Sequence, residues 1–150
     1  MGKATIDATD RKILSLLIRN ARMPFLEIAR ECGISGAAIH QRVKKMEESG
    51  VIRGFRLEVD PTALGYNVSA MIGIRINDPS MNFEIVDGLR RIPEVVECHF
   101  VTGKYNIWTR VYCVDHEHLM HTILDHILRV PGVSETETFI SLSDSFGRQV

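Results

Sequence analysis

The chain has 150 residues, of which 45% are hydrophobic and 25% are charged, with a formal net charge of −1. This ordinary globular composition gives enough length for one domain or two small ones. No apolar run approaches the roughly 18 residues of a membrane span. The first twelve residues also lack the apolar core of a signal peptide, so a cytoplasmic protein without a membrane partner is expected.

The charges are unevenly distributed along the chain. Residues 1–60 carry eleven Lys and Arg against eight Asp and Glu, whereas residues 61–150 carry seven against eleven. A basic first part on an acidic remainder suits a chain that contacts phosphate at one end. The three cysteines are far apart in apolar segments, which favours reduced core thiols over a disulfide framework or a zinc site.

The chain begins with a predicted helix over residues 8–21, in which apolar side chains recur at helical spacing. Residues 25–50 then form two short helices around the turn Cys32-Gly33-Ile34. The first spans residues 25–31, and the second begins at Ser35, whose hydroxyl is a good N-cap, and ends before Gly50. Two helices around a short turn that contains Gly predict a helix-turn-helix, whose second helix enters a DNA major groove.

The second of these helices has two distinct faces. Its apolar stripe contains Ile39, Val43 and Met46, and its opposite face is small at the start and basic further along. The predicted DNA-contacting residues are Ser35, Ala37, Ala38, Gln41, Arg42, Lys44 and Lys45.

Each of these side chains has an expected role on DNA. The alanines suit thymine methyl groups, Gln41 suits an adenine edge, and the basic residues suit phosphates. Two alternatives stay open at this stage: the face is the solvated side of an ordinary three-helix bundle, or Arg42 serves an ion pair within the domain.

Residues 51–59 alternate in polarity and predict a strand, the first arm of a small wing. The polar stretch 60–67, with Pro and Gly, is typical of a linker. We therefore predict a winged helix-turn-helix domain over residues 1–60, a linker over residues 61–67 and a second domain over residues 68–150.

The second domain shows the order β-α-β-β-α-β. Strands are predicted over residues 68–76, 95–102, 105–114 and 133–142, and helices over residues 81–91 and 117–129. Residues 89–101 also resemble residues 127–139 at a shift of 38, as expected for two related halves. The predicted fold class is α+β, a winged helix-turn-helix followed by a ferredoxin-like βαββαβ domain.

Several sequence segments together carry a family resemblance. They are DRKILSLL from Asp10, NAR from Asn20, EIARECGIS from Glu27, HQRVKKMEESGVIRGF from His40, Leu64-Gly65, PEVV from Pro93, TGKYN from Thr102, and Pro131-Gly132-Val133. In this order and spacing they resemble the Lrp/AsnC, or feast/famine, transcriptional regulators over nearly the whole chain. The resemblance implies an N-terminal DNA-binding domain and a C-terminal effector-sensing domain that dimerises through its sheets, with dimers assembling into octamers or other rings.

The resemblance also implies an effector loop, with the effector bound between C-terminal domains. The expected effector-binding residues are Thr102, Gly103, Tyr105, Asn106, Ser134 and Thr136. The family turn usually reads Gly-x-Tyr-Asp, and its acidic residue helps to hold the ligand amine. Asn106 stands at that position and lacks the charge, which weakens the expectation of a plain α-amino acid. The alternative is a tight hairpin in which Gly103 only supplies an unusual φ.

No pattern indicates catalysis, a cofactor or a bound metal. His118, His121 and Asp125 match no ligand motif, and a polar helix start explains them. We therefore expect a transcriptional regulator that binds double-stranded DNA as a homo-oligomer and responds to an amino acid or related molecule. The alternatives are an architectural DNA-binding protein without a ligand and, in a third class, an enzyme of amino-acid metabolism.

Overall fold

The computed structural model describes residues 5–147, which form two compact units divided after Glu58. The regular structure of the first unit consists of helices α1 (Ala8–Arg19), α2 (Phe25–Cys32) and α3 (Gly36–Glu48) over the residues described. Helix α1 ends two residues earlier than predicted because the backbone of Asn20 is extended, although its N–H still bonds to a carbonyl of the last turn.

The three helices enclose a small core of their own. The stripe predicted on α3 is buried there, with Ile39 fully inaccessible and Val43 and Met46 nearly so. Burial of each such aliphatic side chain stabilises the unit by about 1.5–3 kcal/mol before the loss of chain entropy is counted. The complete set of buried apolar side chains is Ile13, Leu16, Leu17, Ile28, Ala29, Ile39, Val43 and Met46.

The strand predicted for residues 51–59 is not formed. Residues 53–60 have no regular structure, and Leu57 is 87% exposed. A strand needs a neighbour to pair its backbone N–H and C=O groups, and no described segment pairs with this one. The alternation of Phe55, Leu57 and Val59 therefore belongs to an unpaired segment with exposed apolar side chains.

The stretch predicted as a linker has local structure. Thr62–Leu64 is a 3-10 turn, and the carbonyl of Pro61 accepts hydrogen bonds from the N–H groups of Leu64 and Tyr66, both at 3.0 Å. This stretch belongs to the second compact unit, residues 59–146. The exact domain boundaries stay a prediction.

The second unit contains one antiparallel sheet of four strands. They are β1 (Val68–Ile76), β2 (Val95–Phe100), β3 (Ile107–Cys113) and β4 (Val133–Ile140), in the spatial order β2-β3-β1-β4. The two long central strands bury alternate residues, as a sheet with one covered face requires. The order of helices and strands along the chain is the ferredoxin-like order that the sequence predicts.

Two helices cover one face of the sheet. Helix α4 (Asn82–Arg90) follows a 3-10 turn over Pro79–Met81, and helix α5 begins over His116–His121. The buried side chains of this core come from both helices and from one face of the strands. They are Val68, Ala70, Ile72, Ile74, Ile85, Leu89, Ile92, Ile107, Val111, Cys113, Leu119, Ile127 and Val130.

The helix predicted over residues 117–129 is not uniform. After its α-helical start, Thr122–His126 is π-helical and Ile127–Arg129 is a 3-10 turn. The buried Thr122 donates its hydroxyl to the carbonyl of His118 at 2.8 Å, and such back-bonding competes with regular helical hydrogen bonds. The wider turn is therefore associated with a polar side chain that bonds inside the helix.

Candidate DNA-binding and effector sites

The turn before α3 is made by two caps. Gly33 has φ 68°, a left-handed conformation that glycine adopts without strain, and it ends α2. Ser35 Oγ accepts a hydrogen bond from the N–H of Ala38 at 3.2 Å, as predicted for the N-cap of α3. These two residues therefore set the point where α3 begins.

The predicted DNA-contacting residues of α3 differ in exposure. Lys44 and Lys45 are exposed, and the only ion pair between them and described residues is a 3.8 Å contact from Lys44 to Glu48. An exposed pair of this kind contributes little, so both ammonium groups are available to phosphate. The exposed members of the set also include Ser35, Ala37 and Gln41, whereas Ala38 and Arg42 are partly buried.

Arg42 is bound within its own unit. Its Nη1 atom lies 2.7 Å from Asp7 Oδ2 and 2.8 Å from Asp10 Oδ1. These two carboxylates form the capping box of α1, in which each accepts a hydrogen bond from the backbone N–H of the other. Of the two roles left open for Arg42, the structure shows the ion pair, which joins α3 to the start of α1.

The ion pair changes the titration of its members. The N–H of Asp10 and, next, the guanidinium of Arg42 lower the pKa of Asp7 below its ordinary value of 3.8. The hydrogen bonds that Arg42 donates to Asp10 and Asp7 raise the pKa of its guanidinium. Both groups are therefore held in their charged forms at neutral pH.

A second cation fastens the bundle at another point. The Lys12 ammonium group on α1 donates a hydrogen bond to the carbonyl of Glu31 in the last turn of α2. A cation at a helix C-terminus is favourable because the last carbonyls lack partners and the helix dipole is negative there. Lys12 and Arg42 together fix α2 and α3 against α1.

Sequence reasoning missed His40 on α3. This residue is exposed, and its ring lies 5.7 Å from the ring of Phe25, the first residue of α2, at an interplanar angle of 58°. A helical projection of α3 places His40 beside the outer face, one turn before Lys44. That projection would have found the residue from the sequence.

The loop that contains the expected effector residues closes the hairpin between β2 and β3. Val101 N donates to the carbonyl of Asn106, and Asn106 N donates to the carbonyl of Ile74, both at 3.0 Å. Strand β2 ends at Phe100, earlier than predicted, and residues 101–106 form the loop that joins it to β3. Gly103 adopts φ 113°, which supports the predicted need for glycine in the turn.

Asn106 and Ser134 both bond to the end of β1. Asn106 Oδ1 accepts from the N–H of Ile76 at 3.1 Å, and Ser134 Oγ donates to the carbonyl of Arg75 at 3.0 Å. The two residues lie on either side of β1 and satisfy backbone groups where its pairing with β4 becomes irregular. Part of their polar capacity is thus used within the chain.

Tyr105 lies over a strand position that has no side chain. A Cβ built on Gly73 would lie 2.6 Å from ring atoms of Tyr105, so only glycine leaves room for this ring. The ring also packs 5.9 Å from that of Trp108, which lies 5.4 Å from Phe139. These aromatic residues are on the sheet face opposite α4 and α5.

Charged groups border this aromatic row. The Lys104 ammonium group lies 5.0 Å from the centre of the Tyr105 ring and forms an ion pair with Glu137. Thr102 is exposed beside Gly103, and Thr136 is partly buried on β4 opposite Ile74. The expected effector residues therefore fall into a hairpin tip and the adjoining ends of β1 and β4.

Two histidines of α5 have carboxylate partners. His118 Nε2 lies 3.0 Å from Glu94 Oε1, and His121 Nδ1 lies 2.8 Å from Asp125 Oδ2. The hydrogen bond to Asp125 raises the pKa of His121 above 6.5. Across residues 5–147, no group of three His, Cys, Asp or Glu residues is arranged to hold a metal ion.

Comparison with known proteins agrees with this architecture. Residues 6–53 match the family of winged helix-turn-helix DNA-binding domains, and residues 69–149 match the Lrp/AsnC ligand binding domain. This combination defines a DNA-binding transcriptional regulator that carries a ligand-binding domain, and not an enzyme. None of the described helices is long and apolar enough to cross a membrane.

The chain belongs to the Lrp/AsnC family. It is 36% identical to regulatory protein AsnC of Escherichia coli (strain K12) over 150 residues, which are 100% of this chain and 99% of AsnC. The structure of E. coli AsnC matches it with a TM-score of 0.90 over 97% of this chain and 98% of that one.

A further similar structure is a complex with an amino acid. The feast or famine regulatory protein from M. tuberculosis, complexed with L-methionine, is 28% identical to this chain and has a TM-score of 0.88. The match covers 95% of this chain and 96% of that one. The effector-sensing fold expected from the sequence is therefore shared with a regulator solved with a bound amino acid.

Proposed function

We propose that the exposed face of α3 is the surface that reads DNA. In this proposal Lys44 and Lys45 contact phosphates, Ala37 and Ala38 approach thymine methyl groups, and Gln41 reads a base edge. The observation that carries the proposal is the pair of exposed lysines on a helix whose opposite side is buried. Ser35 adds the start of the helix, where free N–H groups favour a phosphate.

Arg42 has a different place in this proposal. Because its guanidinium is bound to Asp7 and Asp10, we assign it the role of positioning α3 and not that of a phosphate contact. A basic side chain that already satisfies two carboxylates gains little from a third anion.

The test is the double variant Lys44→Ala plus Lys45→Ala. Loss of two phosphate contacts should weaken DNA binding at least roughly 10-fold and reduce the slope of log affinity against log salt by about 2. The matched control is Arg90→Ala plus Arg91→Ala, which removes the same charge from two exposed positions at the C-terminal end of α4. An unchanged salt slope in the lysine variant would show that α3 does not lie against the phosphates.

We also propose that the second unit senses an amino acid or a related small molecule at the hairpin tip. Thr102, Gly103 and Tyr105 would line the site, with Asn106 at one side and Ser134 and Thr136 on β4. Support comes from the L-methionine complex of a 28% identical regulator and from the positive φ of Gly103, which shapes the loop.

A second candidate is an architectural DNA-binding protein that uses no ligand. The hydrogen bonds of Asn106 and Ser134 to the end of β1 favour it, since they give both side chains a structural role. Melting the full chain with each of the twenty amino acids at millimolar concentration separates the two. A ligand present at 100 times its Kd adds about 2.7 kcal/mol to the free energy of unfolding, whereas an architectural protein shows no shift with any of them.

We further propose that the protein acts in the cytoplasm as a dimer, with higher assembly up to an octamer. The open face of the sheet, opposite α4 and α5, carries Trp108 and the 40% exposed Phe139, which a second copy would cover. A dimer would place two copies of α3 on a pseudo-palindromic site with half-sites about one helical turn, or a multiple of it, apart.

A further inference from the structure

The exposed face of α3 has few groups that can distinguish bases. Its lysines act as point charges, its alanines offer only methyl contact, and Arg42 is bound to Asp7 and Asp10. Between Ala37 and Lys45, the side chains other than Lys and Arg that have hydrogen-bonding atoms are limited to Gln41 and His40. Sequence discrimination through hydrogen bonds to base edges therefore rests on two neighbouring residues.

His40 is held in a way that leaves its polar atoms unused. Its ring packs against Phe25, which is partly buried where α2 begins. Neither ring nitrogen of His40 has a hydrogen-bond partner within the described chain. An aromatic contact that restricts the ring without satisfying its nitrogens lowers the entropy lost when those nitrogens bind another molecule.

The place of the ring on α3 suits a groove contact. His40 lies three residues after Ala37 and four before Lys44, so it is on the same side of α3 as residues assigned to DNA. An imidazole N–H is a donor, and the purine N7 atom and guanine O6 are the acceptors that the major groove presents. A flexible lysine side chain can reach a phosphate in many positions, whereas a ring with a fixed orientation donates its hydrogen bond in one direction.

We propose that His40 is a base-reading residue of α3, which donates a hydrogen bond to a purine edge in the major groove while Phe25 fixes its ring. The proposal rests on the assignment of α3 to DNA and adds a specificity-determining residue to it. His40 would discriminate between bases, and Lys44 and Lys45 would supply affinity that is independent of sequence.

The experiment selects binding sites from random DNA with the full-length chain and with three variants. His40→Ala should erase the base preference at one position of each half-site. It should also lower affinity for the DNA sequence that the wild-type chain selects, by roughly 5- to 100-fold. Affinity for unrelated DNA and the salt slope should stay unchanged. His40→Gln keeps a donor and should restore a preference at that same position.

Glu47→Gln is the matched control, because it changes an exposed side chain two turns along the same side of α3. It should raise affinity for all sequences equally and leave the selected site unchanged. All variants change exposed residues, and thermal melting verifies that each remains folded.

Two results would overturn the proposal. An unchanged site preference in His40→Ala would show that the ring reads no base. An equal loss on specific and unrelated DNA, with a smaller salt slope, would show a phosphate contact instead. If the wild-type chain itself enriched no sequence, the assignment of α3 to specific DNA reading would fail, which is a distinguishable outcome.

Discussion

The three basic residues of α3 differ in how firmly they are bound within the first unit. Arg42 resembles Lys44 and Lys45 in charge, yet its guanidinium is 2.7–2.8 Å from two carboxylates of the capping box of α1. Asp10 is only 8% exposed, and Arg42 is its ion-pair partner, so removal of the guanidinium would leave a buried carboxylate without its cation. Arg42 thereby connects the start of α1 to the orientation of α3.

Replacement of this arginine separates stability from phosphate contact. Arg42→Ala should lower the Tm by roughly 5 °C, because it leaves the buried Asp10 carboxylate without its cation. The salt slope of DNA binding should not change. Lys45→Ala is the paired variant, with an unchanged Tm and a slope smaller by about 1. A reduced salt slope with Arg42→Ala would show that this residue also neutralises a phosphate.

The capping box makes the stability of the first unit depend on pH in the acidic range. The folded pKa of Asp7 lies below 3.8, so its stabilisation is present above that pH and is lost as the pH falls through the folded value. Asp7→Asn should therefore melt lower than wild type at neutral pH, and the difference should vanish once the pH has fallen through the folded pKa of Asp7. Thermal melts across this range measure it. Glu58→Gln, an exposed carboxylate outside regular structure, is the control, and a constant difference for Asp7→Asn would contradict the prediction.

At the level of the element, β1 determines the geometry of the expected effector loop. Gly73 leaves space for the Tyr105 ring, and the end of the strand is held by Asn106 on one side and Ser134 on the other. The glycine is in a buried strand without a positive φ, so its role is close approach and not backbone freedom. The loop is thus positioned by a strand that lies about thirty residues earlier in the chain.

A single methyl group at this position tests that arrangement. Gly73→Ala should displace the Tyr105 ring and destabilise the chain by about 1–3 kcal/mol, as overpacking does. Trp108 is the single tryptophan and lies beside Tyr105, so its emission reports the displacement directly. Gly36→Ala is the control, since its Cβ meets nothing within 4 Å. Unchanged emission and unchanged Tm in Gly73→Ala would show that the Tyr105 ring does not need the space above Gly73.

For the whole molecule, the two faces of the sheet have different environments. The helices α4 and α5 cover one face, whereas the other has no helix among residues 59–146 and carries Trp108 and Phe139. Soluble proteins rarely leave a row of aromatic residues exposed without a partner. Pairing through this face would also give the molecule two DNA-binding helices.

Introduction of a charge tests the pairing. Phe139→Glu should convert the protein to a monomer in light scattering, because an unpaired carboxylate opposes burial of the face. DNA affinity should fall by about 10²-fold or more, because a monomer binds with one α3 and loses the gain from two linked binding sites. Phe83→Glu is the control, because it introduces the same charge at an 85% exposed position on α4, and this variant should remain a dimer or a larger assembly. A dimeric Phe139→Glu protein would place the interface elsewhere.

Much of the fold follows from local patterns. Ser35 caps α3 as predicted, the stripe of Ile39, Val43 and Met46 is buried, and β1 has the predicted bounds. Capping and periodicity involve groups only two to four residues apart, so the sequence displays them directly. For the same reason the order of the helices in the first unit, and of the helices and strands in the second, could be predicted from the sequence.

Partners that are distant in the sequence came only with the tertiary structure. The sequence left the role of Arg42 open because Asp7 and Asp10 lie more than thirty residues earlier, and it did not indicate that Asn106 bonds to the N–H of Ile76. The prediction of a strand over residues 51–59 was wrong because alternating polarity does not show whether a neighbouring strand is available for pairing. Periodicity thus determines which side of an element is apolar, whereas packing of the folded chain decides which polar groups meet.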